Sequence, residues 1–435
     1  MRHSTDPEVY PYRWVILVVF MSITAVVELQ WLAHAAVARP AEIFYEGQFD
    51  PSSFLNIDFL ALVYMLVFLV MSFPASYLID TYGIRVGISI GAVLIGVSGL
   101  MKGLLADDFD AVVASQVGLA VAQPFILNSV TAVSVRWFPL RERGMAAGLS
   151  ALAQYVGIIV AMLVTPLLVG SDPADPDYGS GFEGMLMGYG WLTFGVAVIT
   201  LVLLRERPPT PPDADSAERH SFAKGIAHIL KLRDMQITLL LFFVGLGIFN
   251  AVSSMTDSIA ENAGVEDSDG LIGGLMLIGG ILGASILPVL SDKFRKRKVF
   301  LVICVAGMIP GVFGLTFAGK LSPDPDTVYA ISLAASFVLG FFIMSAGPLG
   351  FQYAAEVSHP APESTSQGML LWVGQVTGMI FVAGMSMDDN RYLPDFMVAF
   401  SILSLFSLGA ILLLRESPMI ITEQDRVTGI TRDDL

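Results

Sequence analysis

Cysteine occurs once in this chain of 435 residues, at Cys304 inside an apolar run. A single cysteine excludes an intramolecular disulfide and a cysteine-ligated metal site. Charge is also scarce: 14% of the residues are Asp, Glu, Lys or Arg, against about 25% in soluble domains. So few charges cannot coat a water-soluble surface, which argues against an ordinary soluble enzyme. Basic residues are outnumbered 24 to 39, giving a net charge of −15. The chain therefore lacks the basic footprint of a nucleic-acid binder. HExxH is missing as well, and no paired His/Asp cluster faces the membrane interior. No catalytic residue, metal or cofactor is expected.

Hydrophobicity is what the chain has in abundance, at 54% of the residues. A membrane-spanning helix needs roughly 20 mostly apolar residues, and about twelve runs meet that length. They cover 13–37, 54–79, 86–105, 109–133, 144–169 and 185–204, then 235–257, 269–290, 299–319, 327–352, 365–386 and 393–414. The first follows Asp6, Glu8 and Arg13, exceeds a signal-peptide core and lacks a cleavage pattern, so it reads as a retained span. Five segments follow: an N-terminus (1–12), a first bundle (13–204), a linker (205–234), a second bundle (235–414) and a tail (415–435). The linker holds Pro208, Pro209, Pro211 and Pro212, and its residues 222–232 suit a short amphipathic surface helix.

Orientation follows from Lys and Arg. With both termini cytoplasmic, the inner segments hold 20 of the 24 basic residues and carry +3. The outer loops and span edges then carry −16, with Arg39, Lys102, Lys320 and Arg391 as their bases. Glu28 and Asp58 account for the remaining −2, within or at the edge of spans. The reading is a cell-membrane protein with N-terminus, linker and tail inside. An acidic exterior raises the local concentration of cations. It equally suits a saline medium, where the Debye length falls to about 3 Å at 1 M salt.

The two halves echo each other. Asp80 to Arg85 joins the second and third spans, and Ser291 to Lys298 joins the eighth and ninth. Each turn has an aspartate near its start and continues to basic residues. A carboxylate there can pair with arginine and with the positive N-terminus of a neighbouring helix. The charges otherwise only set topology. Asp80, Gly83 and Arg85, and more loosely Asp292 and Arg295, resemble the loop signature of the major facilitator superfamily. Arg136-Trp137-Phe138-Pro139 with Arg143-Gly144 is a third match. The resemblance implies an all-α membrane protein of twelve transmembrane helices in two six-helix halves, with substrate between them near mid-membrane. The gating residues it implies are Asp80, Gly83, Arg85, Arg136, Arg143, Asp292 and Arg295.

Further strings narrow the resemblance: Tyr12-Arg13-Trp14, Gln30-Trp31, Val63-Tyr64-Met65, Ala122-Gln123-Pro124 and Thr365-Ser366-Gln367-Gly368 before Gln375. They are similar to the feline leukaemia virus subgroup C receptor-related branch, whose members are described as carriers of choline and ethanolamine and as haem transporters. The branch places a cation-facing tryptophan and polar glutamines at Trp31, Gln123 and Gln375. Asn250 stands where the branch has an aromatic second wall, leaving room for a smaller or more polar substrate. An indole face attracts a cation by roughly 0.5–2 kcal/mol, and glutamine oxygens receive an ammonium or hydroxyl without adding charge.

Glu28 precedes Trp31 by three positions and shares its helix face. A carboxylate this deep is costly unless it is paired, protonated or facing water. With no basic residue assigned mid-span, it reads as a counter-ion for a cationic substrate or a proton site, against a structural hydrogen bond. The expected activity is alternating-access transport of a small organic cation or amino alcohol. The alternatives are a proton-coupled carrier of an organic anion or another metabolite, haem transport, and a transporter-like sensor. The lack of internal bases counts against an anion. His34, the one histidine near a span interior, is thin provision for haem. Expected partners are the small-molecule substrate, membrane lipid and a coupling proton or sodium ion, with the chain monomeric.

Overall fold

The computed structural model describes residues 10–49, 55, 57, 59–139, 142–170, 179–210, 222–265 and 271–417. Asp6, Glu8, Asp58 and the linker residues 211–221 lie outside them. Every regular element among the described residues is a helix, as hydrocarbon demands, since a helix satisfies its backbone groups within itself. In chain order the first eight are α1 Tyr12–Leu32, α2 Ala38–Phe44, α3 Phe59–Tyr82, α4 Ile84–Leu104, α5 Phe109–Leu127, α6 Val130–Trp137, α7 Arg143–Leu168 and α8 Phe182–Leu203. The rest are α9 Phe222–Lys231, α10 Arg233–Ser254, α11 Thr256–Ala263, α12 Leu271–Phe294, α13 Arg297–Leu321, α14 Pro325–Ser358, α15 Glu363–Asn390 and α16 Leu393–Leu412. Among the described residues, twelve stretches are long and apolar enough to cross a membrane, with α5 and α6 together making one of them. Each overlaps one of the runs read from sequence.

The boundaries differ where polar residues are buried or proline intervenes. α1 stops at Leu32 instead of continuing to 37, and α2 opens after a 3-10 turn with Pro40 in its first turn. That is where a missing N–H costs nothing. α14 runs on to Ser358 because Gln352, Tyr353 and Glu356 stay buried at its end. Asp108 caps α5 by accepting from the N–H groups of Asp110 and Ala111 at 3.0 and 3.2 Å. α9 forms across the stretch expected to be an amphipathic helix, with Gly225 and Ile229 buried and Leu230 exposed.

The chain divides into two compact units. One comprises Met1–Trp137 and Leu152–Ala214, the other Phe138–Ala151 and Asp215–Leu435. In the first unit α4 packs on α5 and α8, α3 on α5, and α1 on α8. An aromatic and aliphatic cluster around Tyr45, Phe109 and Phe182 joins α2 to the ends of α5 and α8. In the second unit α14 packs on α12 and α13, α10 on α15, and α13 on α16. Small residues permit these close approaches.

Gly283 shows why. A Cβ added there would strike the carbonyl of Phe341 and the hydroxyl of Ser345 on α14, whereas Gly274 on the same helix has open space. Gly283→Leu should therefore destabilise by about 1–3 kcal/mol and lower the thermal unfolding temperature in detergent. Gly274→Ala should leave that temperature unchanged.

Candidate functional site

In the first unit α1 carries Glu28 and Trp31 on one face. Glu28 is 3% exposed, and its carboxyl group is hydrogen-bonded to the Gln123 side chain on α5. Gly157 of α7 lets that helix close against Ala25 and the Glu28 side chain. Tyr64 of α3 and Tyr155 of α7 lie within electrostatic range of the carboxylate. Trp31 donates its indole N–H to the carbonyl of Ala61 at 2.9 Å, so its ring faces are what it still offers. Its ring centroid is 6.2 Å from that of Tyr64. The Tyr64 hydroxyl is buried and has no hydrogen-bond partner. A carboxylate, an amide and aromatic rings thus gather in one unit, a set suited to an ammonium group.

In the second unit Asn250 of α10 donates to the side-chain oxygen of Gln375 on α15 at 3.4 Å. Both side chains are half-buried. The two units thus hold the five sequence-selected residues as a cluster of three and a pair of two.

Lys102 corrects the sequence reading. It was counted with the outer loops and span edges, yet its side chain turns into the first unit and is 1% exposed. Its ammonium donates to the Gln30 carbonyl at 3.3 Å, to Gln30 Oε1 at 3.1 Å and to Gln116 Oε1 at 2.8 Å. Gln30 in turn donates to Thr193 at 3.0 Å, and Gln116 to the carbonyl of Leu60 at 2.8 Å. A cation is therefore held inside, all three of its N–H bonds occupied by neutral oxygens. His34 is fully buried with its ring edge-on to Phe182 at 5.7 Å, so it offers no open axial position.

A second constellation lies at the helix ends that the orientation reading assigns to the inner side. Gly83, between α3 and α4, has φ of +101°, a conformation natural to glycine. A Cβ there would strike the Glu206 carboxylate. Glu206 accepts from the Arg85 N–H at 2.8 Å and pairs with Arg136, so a carboxylate caps the positive end of α4. The side chain of Arg85 itself is exposed, and Asp80 is half-exposed in the last turn of α3. In the second unit Asp292 pairs with Arg297, and Arg297 Nη2 lies 3.0 Å from Glu356 Oε1. Asp292 also accepts from the Met145 N–H at 2.8 Å, at the start of α7. Ser417 donates to Glu356 at 2.6 Å. Arg143 is buried nearby in sequence and donates to the Phe138 carbonyl at 3.2 Å. Arg295 sits in the turn at φ of +54°. The arginine paired to Asp292 is Arg297, two residues beyond the one read from sequence.

Glu206 was not anticipated, although a signal for it was present. Arg205-Glu206-Arg207-Pro208 follows the sixth span and Arg415-Glu416-Ser417-Pro418 follows the twelfth. The second glutamate repeats the role of the first. Glu416 accepts from the Lys298 N–H at 2.9 Å, in the second residue of α13, as Arg85 is in α4. The Arg205 carbonyl receives Trp137 Nε1 at 3.3 Å, and the Arg415 carbonyl receives the Tyr353 hydroxyl at 2.8 Å.

The chain is 28% identical over 399 residues to the choline/ethanolamine transporter FLVCR1 of Felis catus, covering 88% of this chain and 69% of the relative. It is 28% identical over 428 residues to the choline/ethanolamine transporter flvcr2b of Danio rerio, covering 94% and 85%. An MFS-type transporter of Caenorhabditis elegans is 25% identical over 87% of this chain, and the chain spans only 64% of that relative's length. The fold is similar to the proton:xylose symporter XylE, with a TM-score of 0.70, 15% identity and coverage of 93% of this chain and 96% of that one. The family model described as Major Facilitator Superfamily matches residues 12–383. The chain belongs to the Major Facilitator Superfamily and is a multi-pass membrane protein similar to that superfamily's choline/ethanolamine transporters.

Proposed function

We propose that this chain is a secondary transporter of a small organic cation or amino alcohol, choline- or ethanolamine-like, working by alternating access. The observation that carries this reading is the cluster of Glu28, Gln123, Trp31 and Tyr64 within one unit. The relatives named choline/ethanolamine transporters support the same class. In this reading Glu28 is the counter-charge, Trp31 offers a ring face and Gln123 orients the carboxyl. Asn250 and Gln375 add an amide pair in place of an aromatic wall, which favours the smaller, hydrogen-bonding amino alcohol. A coupling proton or sodium ion would act at Glu28.

Lys102 removes the argument that no internal base exists to meet an anion. The cation reading survives because its ammonium is already spent on three oxygens. We assign the Asp292–Arg297–Glu356 cluster and the Glu206–Arg136 pair to gating. Glu206 and Asp292 hold helix N-termini, and Glu356 holds Arg297, by bonds that can break and re-form as the carrier cycles. The Lys/Arg distribution supports cytoplasmic termini in a cell membrane.

Three measurements test the reading. A thermal-shift panel with choline, ethanolamine, betaine, haem and organic acids should give selective stabilisation by an organic cation, about 2.7 kcal/mol at a hundredfold excess over Kd. A shift with organic acids alone sinks it. In proteoliposomes, Glu28→Gln should lower counterflow of the stabilising cation by at least about tenfold, while Gly274→Ala keeps it. Unchanged counterflow would remove Glu28 from the site. Asp292→Asn should cost about 3–5 kcal/mol, because it breaks a buried charge cluster. It should lower both the unfolding temperature and uptake, where the exposed Lys296→Gln changes neither.

A further inference from the structure

The first unit has a cavity that the transport reading does not use. It measures about 500 Å³ and is lined by Tyr10, Tyr12, Trp137, Arg205, Arg207 and Pro208, among others. Three structural features define its chemistry. Trp137 is 3% exposed and is pinned by its indole N–H on the Arg205 carbonyl at 3.3 Å. Tyr12 is anchored likewise, donating to the Leu203 carbonyl at 2.8 Å, with its ring centroid 6.0 Å from that of Trp137. The Arg205 guanidinium lies 4.5 Å from the centre of the Tyr12 ring. The wall is therefore anchored and aromatic, its two rings tilted at 49° to each other, with one cation stacked on it.

Charge selects the ligand. Arg205 and Arg207 line the cavity, and Glu206 between them does not. Its carboxylate is turned to Arg136 and the α4 N-terminus. Arg207 has no ion-pair partner among the described residues. In a chain of net charge −15, two guanidinium groups facing an aromatic hollow whose described lining residues include no carboxylate are exceptional. Arginine matches phosphate oxygens with paired N–H donors, and the rings accept an apolar or planar group beside it. The start of α1 next to the cavity exposes Trp14 and Val18, as a lipid-facing helix edge does.

We propose that this cavity binds a phosphate-bearing ligand carrying an apolar portion, its phosphate between Arg205 and Arg207 and its apolar portion against Tyr12 and Trp137. An anionic phospholipid headgroup and a soluble aromatic phosphomonoester share this chemistry, and the test separates them. Full-length protein in detergent is titrated with short-chain phosphatidic acid, short-chain phosphatidylcholine, phenyl phosphate and inorganic phosphate, and binding is read by thermal shift. Arg207→Gln is the principal variant, since an exposed side chain without an ion-pair partner among the described residues can be changed without unfolding the protein. Lys296→Gln is the control. Stabilisation by phosphatidic acid over phosphatidylcholine, weakened about five- to tenfold in Arg207→Gln and not in the control, supports the site with lipid as its source. The same pattern with phenyl phosphate alone supports it with a soluble source. No selective shift with either, or equal losses in Arg207→Gln and Lys296→Gln, overturns it. Transport is not the readout, so failure here is distinguishable from failure of the carrier reading.

Discussion

Inside hydrocarbon a polar group has no water to turn to, and the partner it finds must come from the protein. Much of the arrangement described above follows from that constraint. Lys102 is tolerable because Gln30 and Gln116 meet all three of its N–H bonds, and those glutamines are themselves tied to Thr193 and the Leu60 carbonyl. Glu28 is tolerable because Gln123 reaches its carboxyl group. The two groups are handled differently. The ammonium is met by three oxygens, whereas the carboxyl group is met by one amide and lies within electrostatic range of a tyrosine hydroxyl that has no hydrogen-bond partner.

The helix ends obey a related rule. The first turn of a helix leaves N–H groups unpaired and carries positive potential. Here carboxylates from elsewhere in the chain meet these ends: Glu206 at α4, Glu416 at α13 and Asp292 at α7. The first two repeat the same contact at the same position of equivalent helices, each from an Arg-Glu string after the last span of its half. Contacts of this kind are electrostatic and directional, so they hold firmly and still break cleanly. That combination suits a carrier that must leave each of its states. Arg205 and Arg207 flank one of these glutamates and face the other way, so a three-residue string serves both a helix cap and a cationic hollow.

Much was legible in the sequence because span length and hydropathy depend on composition alone. Twelve apolar runs, a short helix across 222–231 and the position of the paired turns needed no tertiary information. The face shared by Glu28 and Trp31 came from helical spacing. What misled was proximity along the chain. Arg295 looked like the partner of Asp292, but the left-handed turn at Arg295 ends α12, and Arg297 opens α13 directly against Asp292 and Glu356. Lys102 looked like an edge residue because it sits in the last turn of a span. Which way that turn faces depends on how α4 packs on α5 and α8.

The sequence by itself determined the class of molecule, the number of spans and the chemistry that had to be accommodated: one deep carboxylate, a tryptophan and a few amides in an otherwise apolar interior. Those follow from residue types and periodicity, which the solvent enforces locally. Only the tertiary structure decided which charge meets which partner. It gave Glu28 to Gln123, Lys102 to Gln30 and Gln116, and Arg297 to Asp292 and Glu356. Arg297 and Glu356 are 59 residues apart in the chain and Lys102 and Gln30 are 72 apart; such pairs meet only after the helices have packed, and helix packing is set by the fit of surfaces that no local pattern encodes.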